Sequence, residues 1–181
     1  MRTELTAKFI QHLNRKPSDR GFTLVELLVV IIIIGILSAI ALPNFLNQSS
    51  KAKQSEGKQN VALVNKTQNS YRAENDKFAS AFDVLAIGTI TGITTGSTTS
   101  YVYTLSTIPA DDSASILAQA KFAELRGYSG ADVRFNNGAN QNINASVICE
   151  ATALGTTAPN PATAPAGAKP TCGAGLTTLS I

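Results

Sequence analysis

The sequence predicts an α+β protein in which one long N-terminal helix packs on an antiparallel β-sheet. Three observations lead to this fold class: an apolar run near the N-terminus, polar sequence behind it with apolar residues at helical spacing, and alternating strand patterns further on. Antiparallel strands that follow a long helix can bury its apolar stripe on one face of their sheet. We expect four segments: a basic leader over 1–21, an apolar half-helix over 22–43, an amphipathic half-helix over 44–77 and a β-sheet head over 78–181.

The positive charge of the chain is concentrated in the leader. The 181 residues carry 15 Lys and Arg against 12 Asp and Glu, a net charge of +3. Residues 1–21 account for all of this excess, and residues 22–181 hold ten bases and ten acids. We therefore expect the rest of the chain to have no general attraction to polyanions.

The apolar run extends over 21 residues from Phe22 to Leu42, and its only charged side chain is Glu26. As a helix it would be about 31 Å long, enough to cross the hydrocarbon core of a bilayer. A buried core helix is less favoured, because the run is long and uniformly apolar. A cleaved secretory signal is also less favoured, because Leu42-Pro43-Asn44 follows the run instead of an A-x-A-like site. The positive-inside rule then keeps the leader in the cytoplasm and places the residues after the run on the other side.

The amphipathic half-helix continues the apolar one, so we predict a single helix from Phe22 to about Ala73. Val61, Val64 and Tyr71 recur near helical spacing with polar residues between them. This spacing gives the second half of the helix an apolar stripe that can lie on a sheet.

Basic residues on the amphipathic half-helix admit two interpretations. One is a DNA-binding patch, and the other is a solvated helix face with Glu56 and Glu74 interspersed. We favour the solvated face, because no aromatic residues are interleaved for base stacking. The basic residues are Lys51, Lys53, Lys58, Lys66 and Arg72.

The strand patterns lie in the C-terminal part of the chain. Tyr101 to Thr107 alternates and is the clearest strand. Residues 114–123 are ambiguous between strand and helix, and residues 88–100 are expected to form a loop with at most a short strand. Residues 151–170 consist mainly of Ala, Thr, Pro and Gly and predict a surface loop. Further strand candidates are Val133–Phe135, Asn144–Glu150 and a last strand or tail over Gly173–Ile181.

Cys149 and Cys172 bracket this low-complexity loop. Outside the cytoplasm two cysteines are expected to oxidise, and pairing them would contribute about 3 kcal/mol on the chain-entropy model. Metal binding is the competing interpretation, and it is less favoured because no His lies nearby. Asp111-Asp112 is interpreted as a turn in preference to a weak cation site.

A short motif at the end of the leader, RGFTLVELL over residues 20–28, resembles the class III signal of type IV prepilins. The resemblance covers about residues 15–55 and implies the pilin fold, with a C-terminal disulfide loop between Cys149 and Cys172. It also implies that a prepilin peptidase cuts between Gly21 and Phe22 and methylates the new N-terminal nitrogen of Phe22. Gly is the smallest residue that an extended chain can present to a narrow protease cleft.

Three further residues fall at positions that matter for assembly in the resembled family: Glu26, Gly35 and Pro43. The resemblance implies that Glu26 pairs with the N-terminal amine of Phe22 in a neighbouring subunit and sets the axial register. The alternative is a first-turn acid favoured by the helix dipole. Pilins have a helix-weakening Gly and a Pro where Gly35 and Pro43 stand. Pro43 is open to two interpretations, a kinked or locally melted stretch and the end of the helix at the membrane surface.

Residues 22–181 contain no His, no Gly-rich phosphate loop and no metal constellation, so we expect no catalytic residue, metal, cofactor or enzymatic activity. The resemblance, which extends to cyanobacterial major pilins, implies a structural subunit instead. Such a subunit waits in the inner membrane and forms a homopolymeric surface filament for twitching motility, adhesion or DNA uptake. Assembly machinery with a cytoplasmic ATPase drives this polymerisation.

Two other functions remain open at this point. A pseudopilin of a type II secretion system shares the helix and the cleavage motif but often lacks the disulfide loop. A single-span anchored binding module that never polymerises is the third possibility, and such an anchor has no need for Glu26.

Overall fold

The computed structural model describes residues 21–85, 87, 96–108, 112–136, 142–157, 162 and 168–179. The predicted loop over residues 88–100 therefore lies mostly outside the described residues. The chain divides into two compact units, Met1–Phe45 and Leu46–Ile181. The second unit, called the head below, contains the sheet and the core.

The first element of the described residues is the helix α1, which runs over 52 residues from Leu24 to Asn75. Its ends lie two residues from those predicted, which confirms one long N-terminal helix. Pro43 lies inside α1, so the alternative that the helix ends at this residue is wrong. The ring removes one N–H from the backbone ladder, and the helical sequence on both sides carries the helix past that gap.

Five antiparallel strands form one sheet in which every strand pairs with its neighbours along the chain, in the order β1-β2-β3-β4-β5. A single 3-10 turn at Phe82–Val84 lies between α1 and the sheet. The strands are β1 at Tyr101–Ile108, β2 at Ser113–Ala120, β3 at Arg126–Asn136, β4 at Asn142–Leu154 and β5 at Leu176–Thr178.

These strands settle the ambiguous parts of the prediction. Residues 114–123 fall mainly in β2 and are therefore strand, and the C-terminal tail contributes the short strand β5. β3 is longer than its predicted core of Val133–Phe135. The register of its pairing with β4 shifts at Gly127, between Arg126 and Tyr128, whereas Ser129 and Gly130 remain paired. β4 continues to Leu154, so the first four residues of the predicted low-complexity loop are strand.

The main core lies between one face of α1 and one face of the sheet. Val61 and Val64 of α1 are fully buried there, which confirms the predicted packing of the helix on the sheet. Tyr101 and Tyr128 pack in the same cluster, with their ring centroids 6.1 Å apart. A smaller cluster lies beside the disulfide and consists of Ala131, Val147, Cys149 and Ala162.

Two glycines allow α1 to lie close to the sheet. A Cβ on Gly57 would be 2.7 Å from Cζ of Tyr101 and 3.0 Å from Cδ2 of Tyr128. A Cβ on Gly130 of β3 would be 2.5 Å from Oδ1 of Asn65 on α1. All three distances are shorter than normal contacts of a carbon atom. The helix can therefore lie this close to the sheet only because Gly57 and Gly130 have no side chain.

Candidate functional site

The helix begins with a reciprocal pair of hydrogen bonds between Thr23 and Glu26. The Thr23 backbone N–H and the Thr23 hydroxyl each donate to Oε2 of Glu26 at 2.8 Å. The Glu26 backbone N–H in turn donates to the Thr23 hydroxyl at 3.2 Å. This arrangement is a capping box, which satisfies N–H groups that the first turn of a helix leaves unpaired. The carboxylate of Glu26 is therefore held at the start of the apolar helix.

The residues next to this capping box are accessible within the subunit. Gly21 and Phe22 precede the first helical residue, and Phe22 is 91% exposed. A Cβ on Gly21 would have no heavy atom within 4 Å. The predicted cleavage bond between these two residues thus lies outside the helix.

The apolar half of α1 exposes its side chains on every side. Among the large apolar residues from Phe22 to Leu46, the exposed fraction is 47% or more. By length and composition this part of α1 could cross a membrane. In the described part of the chain, no residue of the chain covers these side chains.

Gly35 and Pro43 both lie within the continuous helix. A Cβ on Gly35 would have no neighbour within 4 Å, so this glycine does not serve a close contact within the subunit. Beyond Pro43, the side-chain amide of Asn44 donates to the backbone carbonyl of Ile40 at 3.3 Å. This bond adds a donor next to the position where the proline has none.

Arg72 is placed differently from the expectation of a solvated or DNA-binding face. The residue is only 5% exposed, and its guanidinium donates two bonds to Asp112, from Nε at 2.8 Å and from Nη2 at 2.6 Å. These bonds to Asp112 raise the pKa of Arg72. Arg72 therefore cannot contribute to a surface patch, and including it in the predicted basic face was wrong. Its periodic position on the buried side of α1 was the available signal.

The bonds from Arg72 also involve Asp112 of the turn predicted at Asp111-Asp112. Asp112 has a positive φ of 46° immediately before β2, a backbone conformation that Asp tolerates better than most residues. Its carboxylate also lies 3.8 Å from Nη1 of Arg134. The Asp112 carboxylate therefore contacts two arginines, Arg72 and Arg134. The neighbouring Asp111 lies outside the described residues.

The two cysteines form the predicted disulfide. Cys149 of β4 is joined to Cys172 across a sequence separation of 23 residues, with their Cα atoms 5.7 Å apart. Cys149 is fully buried, and β5 follows Cys172 and pairs with β4 at Cys149. The disulfide therefore ties the end of the low-complexity loop to the sheet.

Several buried polar residues of the head were not predicted as buried. Gln68 is fully buried and exchanges two bonds of 2.8 Å with the backbone of Ala79. Asn65 is 3% exposed and donates to the backbone carbonyl of Val147 at 3.0 Å. Both residues share the helix face of Val61 and Val64, so helical periodicity could have found them.

These features agree with the comparisons with known protein families. A model of the family described as Type IV pilin-like G and H matches residues 54–173. A model of the prokaryotic N-terminal methylation motif matches residues 16–42. The first match covers well over half of the chain, so the chain belongs to the type IV pilin-like family. Its members are structural subunits.

The curated relatives include both pilins and secretion proteins. The chain is 48% identical to the Type IV major pilin protein PilA of Myxococcus xanthus over 63 residues, which is 35% of this chain and 29% of the relative. It is 33% identical to the Type II secretion system core protein G of Klebsiella michiganensis over 64 residues, which is 35% of this chain and 45% of the relative.

A third relative is the Type II secretion system core protein G of Escherichia coli, which is 32% identical over 60 residues, or 33% of this chain and 41% of the relative. The chain thus spans less than half of the length of each of these curated relatives. No solved structure matches the chain.

Proposed function

We propose that this chain is the structural subunit of a type IV pilus, a surface filament for twitching motility, adhesion or DNA uptake. The observation that carries the proposal is the start of α1, where the carboxylate of Glu26 is held at the N-terminal end of the apolar half-helix, whose apolar side chains are exposed. An apolar helix of this kind suits both storage in lipid and packing against copies of itself. The match to an N-terminal methylation motif supports the same function.

Processing of the leader is the first step of the proposed sequence. The prepilin peptidase cuts the bond between Gly21 and Phe22 and methylates the new N-terminal nitrogen of Phe22. The cut removes all of the excess positive charge, since residues 22–181 hold ten bases and ten acids. It also creates an amine next to a helix that otherwise carries one charge in its apolar half.

Glu26 then sets the geometry of assembly by accepting the amine of Phe22 from a neighbouring subunit. Glu26 lies four positions after Phe22, so at the rise of a helix the two subunits would be offset by about 6 Å along their axes. A charge pair in an apolar interior fixes geometry more than it adds stability, because both groups lose their hydration. The capping box leaves the charge of Glu26 in place for this role.

The energy for polymerisation comes from outside the subunit. Helices that leave lipid for a filament core exchange one apolar environment for another and gain little from the hydrophobic effect. We therefore propose that inner-membrane machinery driven by a cytoplasmic ATPase extracts the subunits. Before extraction the leader lies in the cytoplasm and the head on the opposite side of the membrane, and afterwards the subunit is part of the surface filament.

Three variants separate the charge of Glu26 from its capping role. Glu26→Ala removes both, whereas Glu26→Gln keeps a residue that can complete the capping box and removes only the charge. We expect both variants to be processed and retained in the membrane, and both to form no filaments. Glu74→Ala, which removes an exposed acid from the end of α1, is the matched control and should assemble normally. Filaments of Glu26→Gln at the parental level would contradict the register role of the charge.

Mass spectrometry of filaments sheared from the cell surface tests the proposal as a whole. The expected N-terminus is an N-methylated Phe22. A chain that still begins at Met1, or one that begins elsewhere without a methyl group, would overturn the proposed processing.

A pseudopilin of a type II secretion system is the second candidate, because two of the relatives described above are type II secretion system core proteins G. Deletion of the gene distinguishes the two candidates. Loss of surface filaments with normal protein secretion supports the pilus subunit. Loss of secretion with intact filaments supports the pseudopilin.

A further inference from the structure

Asp132 of β3 is a carboxyl group buried between α1 and the sheet. Only 1% of the residue is exposed. Its Oδ1 lies 2.5 Å from Oγ of Ser146, its cross-strand partner on β4, and 2.9 Å from Nδ2 of Asn69 on α1. Nδ2 of Asn69 also lies 2.7 Å from Oγ of Ser146. The three side chains form a triad, named the latch below, that joins the helix to two strands.

The latch contains no cation. Arg134, two residues along on the same face of β3, and Arg72, three residues beyond Asn69 on α1, both reach Asp112. From β2 the residue in register with Asp132 is Ala114. In the described part of the chain, the groups that act on the Asp132 carboxyl are thus the hydroxyl of Ser146 and the amide of Asn69. A buried carboxylate without a cation is costly.

A count of hydrogen-bond donors and acceptors shows how a neutral Asp132 fits this geometry. The amide nitrogen of Asn69 has two hydrogens but three acceptors in reach: the Asn65 carbonyl at 3.1 Å, Ser146 and Asp132. If Asp132 is protonated, its O–H donates to Ser146, and Asn69 donates to Ser146 and to the Asn65 carbonyl. If Asp132 is ionised, Ser146 and Asn69 both have to donate to it. The heavy atoms accommodate both states, but only the second contains a buried charge.

We propose that Asp132 is held as a neutral acid and makes the docking of α1 on the sheet depend on a bound proton. When the proton leaves, the charge that remains between helix and sheet favours opening of the segment around Asn65 and Asn69. This inference concerns the head alone and stands whether or not the subunit forms pili.

Burial raises the pKa of Asp132 and the bonds from Ser146 and Asn69 lower it by less, so that the resulting pKa is about 8. The ordinary value for an Asp is 3.8. Between these values the folded head keeps a proton that the unfolded chain has released, so stability falls as pH rises. The equilibrium constant for opening should increase by up to about tenfold per pH unit from about pH 4 to pH 8 and level off above that.

Hydrogen exchange of the full-length protein in detergent micelles tests the latch. After correction for the intrinsic exchange rate, opening of peptides that span residues 61–72 should rise steeply with pH in the parent protein. Asp132→Asn keeps the shape of the side chain and cannot ionise, so its opening should be independent of pH. Asp83→Asn, a change at an exposed acid of the head, should behave like the parent. The same pH dependence in Asp132→Asn as in the parent would overturn the proposal.

A second measurement needs no variant and covers the case in which Asp132→Asn does not fold. The carboxyl carbon of Asp132 is followed by ¹³C NMR in the parent protein over the same pH range. We expect a midpoint near pH 8, accompanied by shifts of the Asn69 side-chain amide. A midpoint near pH 4 would show an ordinary solvated acid and overturn the proposal.

Discussion

Substituting Gly57 by Ala tests whether the contact between α1 and the tyrosines limits the stability of the head. The new methyl group would lie 2.7 Å and 2.8 Å from two ring atoms of Tyr101 and 3.0 Å from a ring atom of Tyr128. Neither ring has free space behind it, because Tyr101 is fully buried and Tyr128 is 3% exposed. The substitution therefore forces the rings or the helix to move.

Three contributions determine the size of the effect. Ala favours the helix over Gly by about 1 kcal/mol. Overpacking of a core costs about 1–3 kcal/mol. A displaced Tyr101 ring also weakens the bond of 3.0 Å from its hydroxyl to the Arg126 carbonyl, which is worth about 1 kcal/mol. We expect a net loss of about 1–3 kcal/mol, or a fall in Tm of roughly 4–12 °C for a head of this size.

Thermal unfolding of the full-length protein in micelles, followed by near-ultraviolet circular dichroism, measures this loss. The chain has four Tyr and no Trp. Tyr101, Tyr103 and Tyr128 are buried in the main core and Tyr71 packs against it, so the signal reports on the core that Gly57 contacts. Gly35→Ala is the matched control, because a Cβ there meets nothing within 4 Å. A Gly57→Ala protein that melts at or above the parental temperature would refute the reasoning.

Two further predictions concern the polar and covalent links of the head. Asp112→Asn removes the charge of the carboxylate that accepts two bonds from the buried guanidinium of Arg72 and should cost about 2–3 kcal/mol, less than a fully buried pair because Asp112 is partly exposed. Asp76→Asn, at the other carboxylate that Arg72 contacts, should cost under about 0.5 kcal/mol because that side chain is 98% exposed. Equal losses for Asp112→Asn and Asp76→Asn in urea unfolding would contradict the assignment of Asp112 as the main partner of Arg72. Replacing Cys149 and Cys172 together by Ser should lower the unfolding free energy by about 3 kcal/mol. Reduction of the parent protein should reproduce that loss, and an unchanged urea midpoint in both would show that the loop is held by other contacts.

The helix and the disulfide loop could be predicted because their signals are local. A long apolar run followed by Val61 and Val64 at helical spacing describes a helix without reference to the rest of the chain. Two cysteines around a loop without large side chains likewise suggest a covalent closure. The motif over residues 20–28 added the resemblance to pilins, which could not be inferred from composition alone.

The partners of the buried polar groups could not be predicted with the same rules. Asn65, Gln68 and Arg72 are polar side chains on a helix, and such residues are usually solvated. They are buried because each finds a partner distant in sequence, such as Asp112 for Arg72. β3 was underestimated for a similar reason, since Gly130 and Asp132 are poor strand formers whose place depends on the helix above them. Helical periodicity places the three residues on the buried face of α1, but it does not identify their partners, because those contacts are tertiary.

The order of the strands has a consequence for how the head folds. Every strand pairs with the one before it in the chain, and only four or five residues connect β1 to β2, β2 to β3 and β3 to β4. Loops this short cost little closure entropy, so the first four strands can add one hairpin at a time as the chain arrives. β5 differs, because 21 residues separate it from β4. We therefore expect the first four strands to pair before β5 joins them. The oxidation of Cys149 and Cys172 is then the last event in the folding of the head.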